Sequence, residues 1–121
     1  LQGISEVMRA EMAPFGVHVT AVCPGSFRTD WAGRSMVRTD RSISDYDAVF
    51  EPIRQARLEK SGKQLGDPAK LADAVLTLIR DQNPPAQLLL GSDAYQLVSD
   101  KLNRMQGDIE KWKHLTVSTD G

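Results

Sequence analysis

The chain has 121 residues, of which 40% are hydrophobic and 26% charged, and its formal net charge is −1. These values are typical of one small globular domain or part of a larger one. The near-neutral charge argues against nucleic acid as the main partner, because neutralising phosphates needs a basic excess. No apolar run approaches the roughly 20 residues that span a bilayer, so no membrane partner is predicted. The single Cys23 has no disulfide partner within the chain, which predicts a reducing, cytoplasmic location.

The first predicted element is a helix from Leu1 to about Pro14, because Ile4, Met8 and Met12 recur at helical spacing. No capping residue precedes Leu1, so the chain is expected to begin inside a helix. We therefore expect a truncated larger protein, with the trimming of a few residues as the alternative.

A short apolar strand is predicted from Val17 to Cys23, ended by the Pro24-Gly25 turn. The segment from Asp30 to about Ser44 has no clean period and predicts a long loop with one helical turn. One edge of the strand has no predicted neighbour, which is an aggregation liability and a second sign of truncation.

A second helix is predicted within residues 45–60, starting near Glu51 so that Pro52 takes the first helical position. A third helix begins with Asp67 as N-cap and Pro68 at the first position. Its apolar stripe ends before the Asn-Pro-Pro sequence at residues 83–85.

The last part of the chain predicts a strand, Gln87 to Leu90, and a long helix capped by Ser92 or Asp93. The apolar stripe of that helix consists of Tyr95, Val98, Leu102, Met105, Ile109 and Trp112. Residues 116–121 are predicted to form a loose tail. Strands alternating with helices predict an α/β fold with parallel strands.

Few motifs suggest chemistry. The sequence contains no glycine-rich phosphate loop and no nucleophile elbow, and His18, Cys23 and His114 are too scattered to predict a metal site. A Pro-Gly dipeptide alone is a turn more often than a site. Here, however, Gly25 would permit close approach of a flat ligand, the backbone amides after it would be unpaired, and Thr29 supplies a hydroxyl.

Three segments together resemble the short-chain dehydrogenase/reductase family: residues 1–6, residues 13–20, and residues 23–30 with the Pro-Gly turn. Residues 62–68 and 88–94 are also similar to late parts of that family. The resemblance implies that the chain is the C-terminal half of a single Rossmann-like, doubly wound domain. Residues 1–29 would provide a helix, a strand and the turn, residues 30–62 the substrate lid, and residues 63–115 a helix, the last strand and the last helix.

The resemblance also implies a cofactor, NAD or NADP, and places residues around its nicotinamide ring. Pro24 and Gly25 would lie beside the ring, while the backbone near Phe27 and the Thr29 side chain would bond the carboxamide. Ser26, in the same turn, is also a candidate cofactor-binding residue. The lid would offer wall residues to a small carbonyl or alcohol substrate, with ordinary packing as their alternative role. These candidates are Trp31, Met36, Tyr46 and Phe50. The last helix would join subunits, so a homo-oligomer is expected.

No catalytic residue is assigned within these 121 residues. The family's catalytic Ser and its Tyr-x-x-x-Lys motif are missing from the sequence, since Tyr46 and Tyr95 are followed four residues later by Phe50 and Ser99. By the family pattern the Lys would lie about three residues before Leu1 and the Tyr about seven. The chain alone is therefore expected to be inactive. The alternative function is a non-catalytic module for oligomerisation or binding.

Overall fold

The fold was analysed in a computed structural model that describes residues 1–33, 35–37 and 39–121. Its helices are α1 (Gln2–Met12), α2 (Asp47–Lys60), α3 (Pro68–Arg80) and α4 (Ser92–Val117), and its strands are β1 (Ala21–Pro24) and β2 (Gln87–Leu90). Short 3₁₀ turns occupy Ala13–Phe15, Asp30–Ala32 and Ser44–Tyr46. The predicted order of helices and strands is confirmed.

The two strands form a parallel sheet in which Ala21 pairs with Gln87 and Pro24 with Leu90. A parallel pair needs a long crossover, which α2 and α3 provide here. This confirms the predicted α/β class with parallel pairing. Both strands stop at the same end of the sheet, where Gly25 and Gly91 follow them.

The first strand is shorter than predicted and is shifted towards its carboxyl end. It covers Ala21–Pro24 instead of Val17 to Cys23, because its ladder is limited to the four residues of β2. The chain before it is held by side chains instead. Arg9 donates to the carbonyl oxygens of Val19 at 2.8 Å and Pro84 at 2.9 Å, so α1 is fastened to the start of the sheet.

The prediction that Pro52 opens the second helix is wrong. Helix α2 begins at Asp47, directly after the turn Ser44–Tyr46, and Pro52 lies inside it. Proline in this position cannot donate to the carbonyl of Ala48, so the helix gives up one hydrogen bond. The turn Ser44–Tyr46 lies directly before Asp47 and starts the helix five residues earlier than Pro52 would.

Helix α3 begins as predicted: Pro68 occupies its first turn, and the Asp67 side chain accepts a hydrogen bond from the Ala69 N–H at 2.9 Å. The predicted cap of the last helix is wrong, since the N-cap of α4 is Gly91 with φ of 103°. The predicted tail is also too long by two residues, because α4 continues through Val117.

Little apolar surface is buried in the described part of the chain. Ala94, with 8% exposure, is its one hydrophobic residue in the buried class. The apolar face of α4 is open, with Tyr95 65% and Trp112 55% exposed, and Ile4 on α1 is 63% exposed. No described helix combines the length and apolar character needed to cross a membrane.

Candidate functional site

The candidate site lies at the carboxyl end of the sheet, where the segments after β1 and β2 contact each other. The Gly25 N–H donates to the Leu90 carbonyl at 2.8 Å, which extends the ladder by one bond. One residue further on, the Ser26 N–H donates to Oδ2 of Asp93 at 2.7 Å. Because parallel strands end at one edge, residues 67 positions apart in sequence are brought together here.

Asp93 is the charged group that closes this junction. Its Oδ1 also accepts from the Ala94 N–H at 3.0 Å, so the carboxylate joins the first turn of α4 to the Pro-Gly turn. The hydrogen bond from the Ser26 N–H lowers the pKa of Asp93 below its ordinary value of 3.8. A Cβ added at Gly25 would lie 2.0 Å from Asp93 Oδ1, so a glycine is needed for this close approach.

The next residues of the turn are joined to the loop that precedes α3. Phe27 and Gly66 form an isolated parallel bridge, in which the Gly66 N–H donates to the Ser26 carbonyl at 3.1 Å and the Arg28 N–H donates to the Gly66 carbonyl at 3.0 Å. The Arg28 guanidinium also donates to the carbonyls of Gln64 at 2.8 Å and Leu65 at 3.1 Å. It therefore fixes the loop against the end of the sheet.

These contacts enclose an open cavity of about 800 Å³. All five residues predicted to contact the cofactor line it, as does one of the four predicted substrate residues. These six are Pro24, Gly25, Ser26, Phe27, Thr29 and Trp31. The volume falls in the range of small-molecule sites, which is about 300–1,000 Å³.

The expectation that the amides after the Pro-Gly turn are unpaired is wrong for Ser26 and Arg28. The N–H groups of Gly25, Ser26 and Arg28 are all bonded within the chain. In a parallel bridge, however, the central residue's own N–H points away from its partner. The Phe27 N–H accordingly has no partner among the described residues. The Thr29 hydroxyl accepts from the Trp31 N–H at 3.4 Å, and its own hydrogen has no acceptor among the described residues.

The other predicted substrate residues do not line the cavity. Tyr46 and Phe50 pack on each other at the start of α2, with ring centroids 6.1 Å apart, and Met36 is half-buried in the preceding loop. Their role as substrate residues stays a prediction. The predicted lid also includes residues 34 and 38, which lie outside the described residues.

Several cavity residues were not predicted from the sequence. They include three cations, Arg57, Lys60 and Lys63, together with the polar residues Gln64 and Asp93. The side-chain oxygen Oε1 of Gln64 is buried without a hydrogen-bond partner in the described structure. Such an orphaned acceptor is costly unless a ligand or water donates to it, and it is the structural signal that marks Gln64.

The described residues contain no group of three or more His, Cys, Asp or Glu side chains arranged to hold a metal ion. What the site offers is a half-enclosed apolar cavity with amide and hydroxyl donors, one orphaned acceptor and three cations.

Comparison with known proteins gives relatives over nearly the whole chain. Oxidoreductase BOA17 of Botryotinia fuckeliana is 32% identical over 117 residues, which are 97% of this chain and 42% of that protein. A 3-ketodihydrosphingosine reductase of Bacteroides thetaiotaomicron is 29% identical over 93 residues, 75% of this chain and 34% of that protein. No protein-family model matches the chain.

The fold has a close counterpart among solved structures. A short-chain dehydrogenase from Streptomyces avermitilis superposes with a TM-score of 0.81 and 32% identity, covering 99% of this chain and 43% of that one. The chain thus spans about two fifths of the length of BOA17 and of this dehydrogenase. The resemblance inferred from the Pro-Gly turn and its surroundings is confirmed, and the chain belongs to the short-chain dehydrogenase/reductase family.

Proposed function

We propose that this chain forms part of an NAD(P)-dependent oxidoreductase, in which it holds the nicotinamide carboxamide and one wall of the substrate site. The observation that carries the proposal is a set of unpaired polar groups around the cavity at the carboxyl end of the sheet. The Phe27 N–H and the Thr29 hydroxyl can donate, and Gln64 Oε1 can accept.

This set matches the chemistry of a carboxamide, which has one carbonyl acceptor and two N–H donors. The Phe27 N–H would bond the carboxamide oxygen, Thr29 would add a second polar contact, and Gln64 would accept an N–H. Pro24 and Gly25 would present a flat, apolar surface to the ring. When bound, the nicotinamide supplies or receives the hydride.

The residues present therefore fit the nicotinamide end of the cofactor, and they do not distinguish NAD from NADP. Leu65, Leu71 and Trp31 give the cavity apolar walls, which suit the body of a carbonyl or alcohol substrate. The relatives that carry oxidoreductase and reductase names support this class of reaction.

The proposal is tested by titrating the ¹⁵N-labelled chain with NADH at 10 °C. We expect chemical-shift changes concentrated at residues 24–29, and no steady hydride transfer by the purified chain. Replacing Thr29 by Val removes the hydroxyl and should weaken binding about fivefold, the effect of one neutral hydrogen bond.

The matched control is Thr77→Val, because the Thr77 hydroxyl bonds the Asp73 carbonyl within α3 and does not line the cavity. It should leave NADH binding unchanged. The proposal fails if millimolar NADH leaves residues 24–29 unaffected, or if both variants weaken binding equally.

The coding sequence upstream of Leu1 provides an independent test. An open frame with Lys about three and Tyr about seven residues before Leu1 would place the catalytic motif on the same helix as α1. A start codon directly upstream would instead favour the second candidate.

The second candidate is a non-catalytic module for self-association, and the open face of α4 favours it. Leu102, Met105 and Ile109 on that face are 59%, 48% and 58% exposed, which is unusual for a free surface of a soluble protein. The mass in solution discriminates the two: a tight, defined dimer or tetramer supports a module, whereas heterogeneous aggregates support part of a larger enzyme.

A further inference from the structure

We propose that Arg57, Lys60 and Lys63 form a subsite for a carboxylate or phosphate group on the carbonyl compound that this cavity takes. The identity of the ligand as a carbonyl compound rests on the proposed function. The anionic group is inferred independently, from the charges that line the cavity.

The three cations are close in the chain and are held on one wall. Arg57 and Lys60 are three residues apart on α2, so they share a helix face. The helix then ends in a turn in which Gly62 has φ of 78° and the Lys63 N–H donates to the Lys60 carbonyl at 3.0 Å. The turn brings the third cation back to the same cavity.

These cations carry no ion-pair partner within the described residues. Two of the three acidic groups of α2 are used at its other end, where Arg41 pairs with Asp47 at 3.1 Å and also with Glu51. The third, Glu59, lies beside Lys60 in the last turn but does not line the cavity and forms no ion pair among the described residues. Cations near a helix carboxyl terminus are favoured by its dipole, which explains why they occur there. The helix dipole does not explain why all three cations line one cavity.

Among the described residues that line this cavity, Asp93 carries the only carboxylate. Both of its oxygens already accept N–H groups, from Ser26 and Ala94, so it is committed to the junction of the strands. The side chains of the described lining residues therefore carry a formal charge of plus two, from three cations and one carboxylate. An anionic group would balance it.

The loop that carries Lys63 is fixed in place, which favours recognition over loose attraction. Arg28 bonds the carbonyls of Gln64 and Leu65, and its guanidinium lies 3.5 Å from the Asp67 carboxylate. Apolar side chains line the same cavity, among them Phe27 and Trp31. The expected ligand thus has a charged end and an apolar body.

The probe is 2-oxo-4-phenylbutanoate, and its neutral counterpart is 2-oxo-4-phenylbutanamide. Each is titrated into the ¹⁵N-labelled chain at 10 °C in low salt, with the Trp31 indole N–H and the backbone amides of 60–65 as reporters. We expect the acid to bind about five- to tenfold more tightly than the amide, the scale of two partly exposed charge pairs. This preference should shrink at 0.5 M NaCl, since salt shortens the screening length to a few ångströms at about that concentration.

The double variant Arg57→Gln/Lys60→Gln should abolish the preference for the acid. Its matched control is Arg54→Gln/Lys101→Gln, which makes the same change in net charge at residues that do not line the cavity. All four side chains are exposed, so far-ultraviolet circular dichroism should be unchanged in both variants. The proposal is overturned if acid and amide bind equally, or if both double variants reduce the preference alike.

A third experiment tests whether the anion bound by these cations belongs to the substrate or to the phosphates of the cofactor. If inorganic pyrophosphate and NADH lose affinity in Arg57→Gln/Lys60→Gln while the oxoacid does not, the cations serve the cofactor and the proposal is overturned. A chain that prefers the acid but leaves residues 24–29 unaffected by NADH would retain the subsite and contradict the proposed function. A chain in which NADH affects residues 24–29 but the acid and the amide bind equally would contradict the subsite alone.

Discussion

Replacing Gly25 by Ala tests whether the carboxylate of Asp93 holds the two strand ends together. The new Cβ would lie 2.0 Å from Asp93 Oδ1 and 2.6 Å from its Cγ, whereas ordinary contacts are 3.4–4 Å. The carboxylate is the end of a short side chain and can turn away. In doing so it would release the Ser26 N–H, which it now accepts at 2.7 Å.

The expected cost is therefore that of the lost hydrogen bond, since the clash itself is relieved by rotation. A partly exposed hydrogen bond to a charged group contributes about 1–2 kcal/mol, which corresponds to about five- to thirtyfold faster amide exchange at Ser26. Hydrogen exchange followed by nuclear magnetic resonance measures this rate directly. Exchange along the middle of α4 serves as the internal reference.

Two further variants make the interpretation specific. Gly107→Ala changes a glycine with open space around it and should stabilise α4 by about 0.5–1 kcal/mol without affecting Ser26. In an Asp93→Ala background, Gly25→Ala should no longer be harmful. It should become slightly stabilising, by about 0.4–1 kcal/mol, because alanine reduces the freedom of the unfolded chain. Unchanged exchange at Ser26 in Gly25→Ala, or equal harm in both backgrounds, would refute the reasoning.

Three other outcomes are expected. Gly66→Ala should disrupt the Phe27–Gly66 bridge more severely than Gly25→Ala disrupts its junction. The new Cβ would lie 2.6 Å from the Phe27 ring and 2.7 Å from the Ser26 carbonyl, and this backbone carbonyl cannot turn away as a side chain can. Loss of the native chemical shift of the Phe27 amide would show the disruption. Asp93, whose pKa is lowered on folding, should stabilise the fold fully at pH values above its ordinary pKa of 3.8. This stabilisation should disappear as the pH falls through the folded pKa, and a pH titration of the Ser26 amide chemical shift would record the loss. With Ala94 as the one hydrophobic side chain of the described part in the buried class, the chain should lose its helical dichroism gradually on heating.

Each of these outcomes has a control. Gly33→Ala, whose nearest contacts would be 3.7 Å, should be tolerated where Gly66→Ala is not. Asp108→Asn removes a charge from α4 far from the junction and should leave the acid titration of Ser26 intact, whereas Asp93→Asn should flatten it. A sharp melting transition in a monomeric sample would contradict the argument from the small core.

The order of the elements could be predicted because the chain marks them locally. Proline at 68 with aspartate before it begins α3, and the Pro-Gly turn ends β1, each for reasons contained within a few residues. Strand length was harder, because β1 ends where its ladder with β2 ends, and the ladder depends on a partner more than 60 residues away. The start of α2 was missed because the preceding turn, Ser44–Tyr46, outweighs the local signal of Pro52.

The site was predictable on one side only. The turn residues, from Pro24 to Thr29, could be marked as candidates because proline, glycine and a hydroxyl in that order are informative and resemble a known family. The cations Arg57 and Lys60 resemble any solvated helix face in the sequence, since nothing local shows that a cavity lies beneath them. The sequence around Asp93 predicts only a helix cap, because its contact with the Ser26 N–H depends on which strands are neighbours.

That neighbour relation is what gives the site its chemistry. Because β1 and β2 are adjacent and parallel in register, the residue after each strand is placed beside the residue after the other, and Gly25 meets Gly91 and Asp93. Asp93 therefore consumes the Ser26 N–H, which shifts the free backbone donor to Phe27, one residue further from the sheet. Under the proposed function, a ligand amide would then bond beyond the turn itself, in the cavity that Gln64 and the cations of α2 also line. If the proposed function holds, the same junction that orders the turn would also direct the ligand into the cavity that the cations line.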